Sequence, residues 1–202
     1  MTDSPHDILR EDPDIGPLVE RYGELDVEPA TDLFQRLVVS ICRQQVSMAS
    51  AAATRDRLFH AVQVTPAGIR AADDQTLRDA GLSRQKTRYV NEAAAAFEES
   101  GYAIDYFEGM GDDAVRAELT SITGVGTWTA NMQLLFALGR EDVFPVGDLG
   151  IRKGFANVVG EGYDREAMAA YAKRWSPYRS YATLYLWRAG EDITETVDEV
   201  TG

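Results

Sequence analysis

One stretch decides the fold of this chain: Leu119-Thr-Ser-Ile122-Thr-Gly124-Val125-Gly126-Thr-Trp128-Thr-Ala130. It places two glycines around one aliphatic residue, between two segments whose pattern predicts helices. Glycine permits a tight turn and leaves the neighbouring backbone N–H groups uncovered. At the start of the second helix, such groups and the positive end of the helix dipole favour a phosphate. We interpret the stretch as a hairpin that holds the DNA backbone, where a side chain on either glycine would block the phosphate. Helix–helix turns also use glycine for structural reasons alone.

Apolar residues recur at helical spacing in both directions from the hairpin. The first clear helix covers 33–42 and has Thr31 or Asp32 as its candidate cap. Gly101 and Gly139 are predicted to end two later helices, and Asp112 or Asp113 to cap another. The further predicted helices cover 48–62, 89–99, 112–122, 127–138, 149–159, 166–175 and 178–189.

Strand signals are too scarce to predict a sheet of any size, so the pattern favours an all-α, two-lobed fold. We expect an acidic N-terminal segment, 1–32, that joins the helical fold, followed by a domain, 33–202, that contains both lobes. With 202 residues, 45% of them hydrophobic, the chain is long enough to bury a core of this kind.

The chain is strongly acidic, with a formal net charge of −13, which at first argues against a nucleic-acid partner. The excess acid lies in 1–32, 89–127 and 189–202, whereas 33–88 and 128–188 contain more bases than acids. Only three of the 20 bases are lysines. This composition is typical of halophilic-type proteins that stay soluble at high salt, although an ordinary acidic cytosolic protein is the alternative.

Other functional classes are excluded by what the sequence lacks. No apolar run approaches the roughly 20 residues that span a bilayer, and the first thirty residues contain no apolar signal core. A single cysteine, Cys42, excludes an internal disulfide and a four-cysteine metal site, and its apolar surroundings indicate a core residue. We expect a cytoplasmic protein that is not bound to membranes.

A second motif, Asp142-Val-Phe144-Pro-Val-Gly-Asp148, places a carboxylate where the next predicted helix begins. An aspartate in this position commonly caps the helix and nothing more. The same position can also aim an ionised carboxylate into a cleft, since the helix dipole favours its charge. Asp148 is therefore the candidate catalytic residue.

These motifs in combination resemble the helix-hairpin-helix and Gly/Pro-Asp superfamily of DNA glycosylases, most narrowly the 3-methyladenine DNA glycosylase II family. The resemblance runs from about Leu33 to Trp187 and includes the segments 41–47 and 175–181. It implies a monofunctional enzyme that excises alkylated purines, of the 3-methyladenine and 7-methylguanine type, from damaged double-stranded DNA. Such an enzyme is expected to act as a monomer on a prokaryotic chromosome. Trp128 stands where bifunctional members have a lysine nucleophile, so no strand-cleaving lyase step is expected. The segment before Leu33 is too short for the N-terminal sheet domain of some members.

The resemblance also assigns roles to individual residues, beginning with Asp148 as the catalytic carboxylate. Gln45 corresponds to the wedge that fills the gap left by a flipped base. No cofactor is required, but Na⁺ or K⁺ at the hairpin is implied, held by the backbone carbonyls of Thr120, Ile122 and Val125. The base pocket is assigned to Trp128, Met132 and Tyr178, and DNA-backbone binding to Gly124, Val125, Gly126, Thr127, Arg152, Lys153 and Arg179.

Other interpretations remain open at this stage. Gln44 and Gln45 could be ordinary polar helix residues, and the aromatic residues could belong to the core. The chain could be a related glycosylase for uracil, hypoxanthine or mispaired bases, or a non-catalytic DNA-binding helix-hairpin-helix protein. An unrelated helical protein with coincidental glycines is the remaining alternative. Asp148 together with an aromatic pocket favours an enzyme, because DNA binding alone requires neither.

Overall fold

The structure, a computed structural model, describes residues 4–190, which form helices and no strand. This confirms the all-α prediction for the described part of the chain. Two 3₁₀ turns cover Asp105–Phe107 and Lys173–Trp175. The α-helices are α1 (Pro5–Arg10), α2 (Gly16–Tyr22), α3 (Leu33–Arg43), α4 (Met48–Ala61), α5 (Pro66–Ala71), α6 (Asp74–Asp79), α7 (Arg84–Ser100), α8 (Asp112–Thr120), α9 (Thr127–Phe136), α10 (Leu149–Val158), α11 (Arg165–Ala172) and α12 (Arg179–Gly190).

The helices form two compact units. The middle unit is Ala30–Leu138, and the split unit contains the described residues of Met1–Pro29 and Gly139–Gly202. Two units agree with the predicted two lobes, whereas the predicted boundary at residue 33 stays a prediction. Most of the acidic stretch at 189–202 lies outside the described residues. Among residues 4–190, every helix is too short or too polar to traverse a lipid bilayer.

Several predicted helix ends are confirmed by their hydrogen bonds. The Asp32 side chain caps α3 by accepting from the N–H of Gln35 at 2.9 Å. Gly101 ends α7 in the left-handed conformation, with φ of 68°. The predicted cap of α8 was wrong: Gly111 occupies that position, and Asp112 and Asp113 lie in the first helical turn, where the dipole still favours their charge.

The sequence did not predict the four shortest helices, α1, α2, α5 and α6. Each has six or seven residues, too few for an apolar period to show, and three have a proline in the first turn. Proline favours the first turn of a helix, although it breaks a helix interior. The start of α7 was also placed too late, at residue 89, because its first turn, capped by Ser83, contains only polar residues and shows no apolar period.

The middle unit is built around α3, which packs against α4, α7 and α9. Leu37, Val38 and Ile41 of α3 are fully buried there. Cys42 is 1% exposed, and burial raises the pKa of its thiol to about 11. The thiol is therefore neutral at physiological pH, as the prediction of a core cysteine requires.

The split unit depends on a very close contact between α10 and α12. A Cβ built on Gly154 would overlap the carbonyl oxygen of Leu186, and a Cβ on Gly190 would lie 2.7 Å from the carbonyl oxygen of Gly150. The N-terminal helices pack on the same α12. There the Tyr185 hydroxyl donates to the carbonyl of Gly23 at 2.9 Å. The N-terminal segment is thus part of this core.

We predict that Gly154→Ala destabilises the protein. Alanine favours a helix over glycine by roughly 1 kcal/mol, but the added methyl must push two backbones apart, and overpacking of this kind costs about 1–3 kcal/mol or more. Thermal unfolding should therefore occur at a temperature lower by several degrees. Gly147→Ala is the matched control, because a Cβ there meets nothing within 4 Å. Equal unfolding temperatures for the two variants would contradict the close contact.

Candidate functional site

The turn between α8 and α9 presents backbone N–H groups at the start of a helix. Gly126 is the N-cap of α9 and has no side-chain cap, and its carbonyl accepts the first helical bond from Ala130 at 2.9 Å. The preceding N–H groups, those of 127–129, therefore lack an acceptor within the helix. Gly126 and Thr127 are exposed. An anion can reach this helix start from solvent.

The two glycines of the hairpin serve different purposes. Gly124 has φ of 90°, and a Cβ there would overlap the ring of Tyr89. Gly126 has an ordinary φ of −91°, and a Cβ there would meet nothing within 4 Å. The expectation that a side chain at either glycine blocks a phosphate stays a prediction, and at Gly124 the missing side chain also makes room for Tyr89. Only Gly126 leaves space on the solvent side.

The remaining turn residues anchor the hairpin. Ile122 and Val125 are 5% and 4% exposed, and the N–H of Val125 donates to the carbonyl of Ile122 at 3.0 Å. A carbonyl oxygen has a second lone pair, so this bond leaves Ile122 able to bind a cation. Neutral oxygens from Thr120, at the end of α8, and from Ile122 and Val125, in the turn, suit Na⁺ or K⁺, and this ion stays a prediction.

A pocket of about 620 Å³ lies beside the hairpin within the middle unit. The end of α3, the start of α7 and the hairpin itself all contribute to its wall. The pocket brings together the predicted wedge, Gln45, the half-buried Trp128, Gly124 and Gly126. Met132, one turn further along α9, is 5% exposed and does not line this pocket. Its predicted place beside a base stays a prediction.

The residues that follow α3, 44–47, contain the predicted wedge and are called the wedge segment. They lie outside the helix. Helix α3 ends at Arg43, and Gln44 is its C-cap. Gln45 is exposed and has φ of 57°, the left-handed conformation that residues other than glycine seldom adopt. The alternative that both glutamines are ordinary polar helix residues therefore does not hold.

Asp148 is the N-cap of α10, in the split unit. Its Oδ1 accepts two hydrogen bonds, from the N–H of Ile151 at 2.9 Å and from Nε1–H of Trp187 at 2.8 Å. The residue is half-buried. A Cβ on Gly150 would lie 2.8 Å from Cδ1 of Trp187, so glycine at this position lets the indole approach the carboxylate. The orientation of Asp148 is fixed by its own helix and by α12.

Trp187 is a site residue that the sequence analysis missed. It shares one face of α12 with Ser180 and Thr183, at i, i+3 and i+7 spacing. The Ser180 hydroxyl accepts from the N–H of Val143 at 2.9 Å, and the Thr183 hydroxyl donates to the carbonyl of Val143 at 3.2 Å. This face therefore supports the loop that carries Asp148. The sequence offered one signal for this face, namely the polar residues Ser180 and Thr183 on an otherwise largely apolar helix.

The other candidates of the split unit differ in exposure. Lys153 is exposed on the first turns of α10, and Arg152 beside it is half-buried. Tyr178 is half-buried and packs edge-on against Tyr181, with ring centroids 5.9 Å apart. The predicted roles of these three side chains toward DNA or a base are compatible with their partial exposure and stay predictions.

Arg179 lies opposite a carboxylate. Its Nε and Nη2 donate to Asp142 at 2.6 and 2.9 Å. Partial burial alone would raise the pKa of Asp142, but the hydrogen bonds from Arg179 and Ser176 outweigh it and lower the pKa. The positive charge of Arg179 is thus largely balanced, which weakens the case for it as a phosphate contact.

Many other arginines also face carboxylates. Ion pairs with N–O distances of 4.0 Å or less involve Arg10, Arg55, Arg70, Arg78, Arg88, Arg116 and Arg174. A polyanion would have to compete with these pairs for the guanidinium groups. The uncovered N–H groups at the start of α9 need no such exchange.

Comparison with known proteins identifies relatives across most of the chain. A family model described as HhH-GPD superfamily base excision DNA repair protein matches residues 38–179. DNA-3-methyladenine glycosylase 2 of Escherichia coli is 31% identical over 169 residues, which cover 77% of this chain and 57% of that protein. The chain spans 59% of the length of a Bacillus subtilis relative and 38% of a Mycobacterium tuberculosis relative.

Two solved structures match nearly the whole chain. The crystal structure of a DNA-3-methyladenine glycosidase from Bacillus halodurans has a TM-score of 0.80 and 33% identity, covering 98% of this chain and 96% of that one. The Schizosaccharomyces pombe 3-methyladenine DNA glycosylase, in complex with abasic DNA, has a TM-score of 0.82 and 25% identity, covering 91% and 95%.

Proposed function

Since this chain belongs to the HhH-GPD superfamily of base excision DNA repair proteins, we propose that it is a monofunctional DNA glycosylase for alkylated purines. It flips bases such as 3-methyladenine out of damaged double-stranded DNA and hydrolyses their N-glycosidic bond, working as a cytoplasmic monomer. The observation that carries the proposal is a carboxylate held at a helix start by two N–H donors, in a chain whose relatives are 3-methyladenine glycosylases.

Flipping requires a group that fills the gap and an aromatic surface for the extruded base. Gln45 is exposed and held in a left-handed conformation, which suits a side chain that enters the duplex. An alkylated purine is positively charged, so the electron-rich face of Trp128 attracts it. Tyr178 and Met132 are the further candidates for contact with the base.

The chemistry needs little acid catalysis, because a cationic base is already a good leaving group. The bond between C1′ and the base nitrogen breaks with its electron pair passing to the base, which leaves as a neutral molecule. Positive charge then develops at the sugar, and the ionised carboxylate of Asp148 stabilises it. Water adds to C1′ and loses a proton, for which the same carboxylate is the acceptor. Trp187 holds that carboxylate in one orientation.

The hairpin holds the DNA through neutral groups. N–H donors at the start of α9, next to Gly126, bind a phosphate, with Arg152 and Lys153 as further contacts. Bound Na⁺ or K⁺ at the carbonyls of 120, 122 and 125 would add positive charge beside those donors. Because neutral donors release few counterions, we expect DNA affinity to fall only slowly as salt rises.

We predict that Asp148→Asn abolishes most base release and preserves the fold. Asparagine caps a helix about as well as aspartate, and its carbonyl can accept from Ile151 and Trp187, but the negative charge is lost. The single-turnover rate on a duplex with one 3-methyladenine or 7-methylguanine should fall about 100-fold or more, as for loss of a comparable electrostatic group. Binding to undamaged DNA should not weaken.

Asp164→Asn is the matched control for this experiment, because Asp164 caps α11 in the same way, with Ala167 N–H at 2.8 Å. Near wild-type release by Asp148→Asn would refute the catalytic assignment. Duplexes with uracil, hypoxanthine or a mismatch belong in the same panel. Faster release from one of them than from the alkylated purines would assign the chain to a different lesion.

We predict that Gly126→Asp weakens DNA binding without destabilising the protein. The new carboxylate caps α9 and occupies the N–H groups itself, so the unfolding temperature should stay equal or rise slightly. Affinity for any duplex sequence should fall by about 10-fold or more, since hydrogen bonds to a charged group are lost. Fluorescence anisotropy from low to molar salt measures both this loss and the expected shallow salt dependence.

Gly111→Asp is the control, because Gly111 is also an N-cap without a side-chain bond, with open space around it. It makes the same change in net charge at the start of α8. Equal loss of affinity in both variants would mean that net charge alone, and not the hairpin, determines DNA binding.

A further inference from the structure

The wedge segment is tied to the hairpin by one side chain. Gln44 is separated from the hairpin by some 80 residues of sequence, yet its Nε2 donates to the carbonyl of Gly124 at 3.0 Å and to the Thr129 hydroxyl at 3.1 Å. A carboxamide has two N–H protons, and these two acceptors can take both. The two bonds span the turn, since Gly124 precedes Gly126 and Thr129 lies in the first turn of α9.

The same segment is held from its other side. Lys86, near the start of α7, donates through Nζ to the carbonyl of Cys42 at 2.6 Å. This carbonyl belongs to the last turn of α3, where the helix itself offers no further N–H group to donate to it. Burial lowers the pKa of Lys86. The wedge segment therefore begins from a fixed helix end and is then fixed again by Gln44.

Gln45 follows directly, and its backbone is in an unfavourable conformation. A left-handed φ of 57° costs a residue with a side chain free energy, and such conformations persist only where the surroundings impose them. Gln45 itself is exposed. Neighbouring residues of the chain therefore restrain the backbone of Gln45. Among them, Gln44 makes the long-range hydrogen bonds.

From this geometry we infer that Gln44 is a positioning residue that couples the phosphate-binding hairpin to the Gln45 wedge. It makes the hairpin turn and the wedge segment one rigid frame, so that a bound phosphate sets the place where Gln45 enters the duplex. This role of Gln44 rests on the proposed function, because only an enzyme that flips bases needs a wedge. Loss of the Gln44 bonds should slow wedge insertion and leave DNA binding nearly unchanged.

The test uses Gln44→Met, which has nearly the same shape but no N–H donors. A duplex with a stable abasic analogue and 2-aminopurine beside it reports insertion as increased fluorescence, and no base needs to be excised. We expect the insertion rate to fall about 10-fold, as for the loss of one or two hydrogen bonds. Affinity for undamaged duplex should change less than about twofold, because the N–H donors of the hairpin remain.

On alkylated duplex under single-turnover conditions, the maximal rate should fall with the insertion rate, while the half-saturating enzyme concentration stays constant. Gln75→Met is the matched control, since the Gln75 amide binds only within α6, to Asp79 at 2.7 Å. If Gln44→Met unfolds, Gln44→Leu, which is also neutral and lacks the donors, replaces it. Hydrogen exchange of residues 44–47 should quicken in either variant.

The outcomes separate the two proposals. If Gln44→Met inserts its wedge as fast as the wild type, the coupling is overturned, whatever bases the enzyme excises. A parallel loss of duplex affinity and insertion would also overturn it, because Gln44 would then serve only the hairpin. Absence of both insertion and base release in the wild type would instead refute the proposed function.

Discussion

The backbones of α10 and α12 approach so closely that only glycine fits at Gly154, and the geometry of the candidate catalytic group depends on this contact. It brings Trp187 against Gly150, where the indole N–H reaches Oδ1 of Asp148. A hydrogen bond to an ionised group contributes more than a neutral one. The packing of α10 against α12 thereby fixes the orientation of the Asp148 carboxylate.

The middle unit uses glycine for a related purpose. Gly124 accommodates the ring of Tyr89 under the hairpin, and Gly126 leaves the first N–H groups of α9 open to solvent. Backbone donors are well suited to a chain with a net charge of −13, in which many arginines already face carboxylates. The charge of the protein and its proposed DNA partner are compatible if the phosphate is held by the backbone.

Local sequence patterns predicted the longer helices and the positions of Asp148 and the hairpin. They succeeded where the signal is local, as in the capping of α3 by Asp32 or the left-handed Gly101. They failed for α1 and α2, which are too short to show a period, and for Trp187, whose importance comes from a contact 39 residues away in sequence. The site roles came from family resemblance, since no local pattern distinguishes a capping aspartate from a catalytic one.

Helix packing holds Asp148 through the indole N–H of Trp187, and the variant Trp187→Phe removes this hydrogen bond. Phenylalanine keeps an aromatic ring against Gly150 but removes the N–H donor. We expect single-turnover release of 3-methyladenine to slow about 10-fold, as for the loss of one hydrogen bond to a charged group, while DNA affinity and unfolding temperature change little. An unchanged release rate would contradict this role of Trp187.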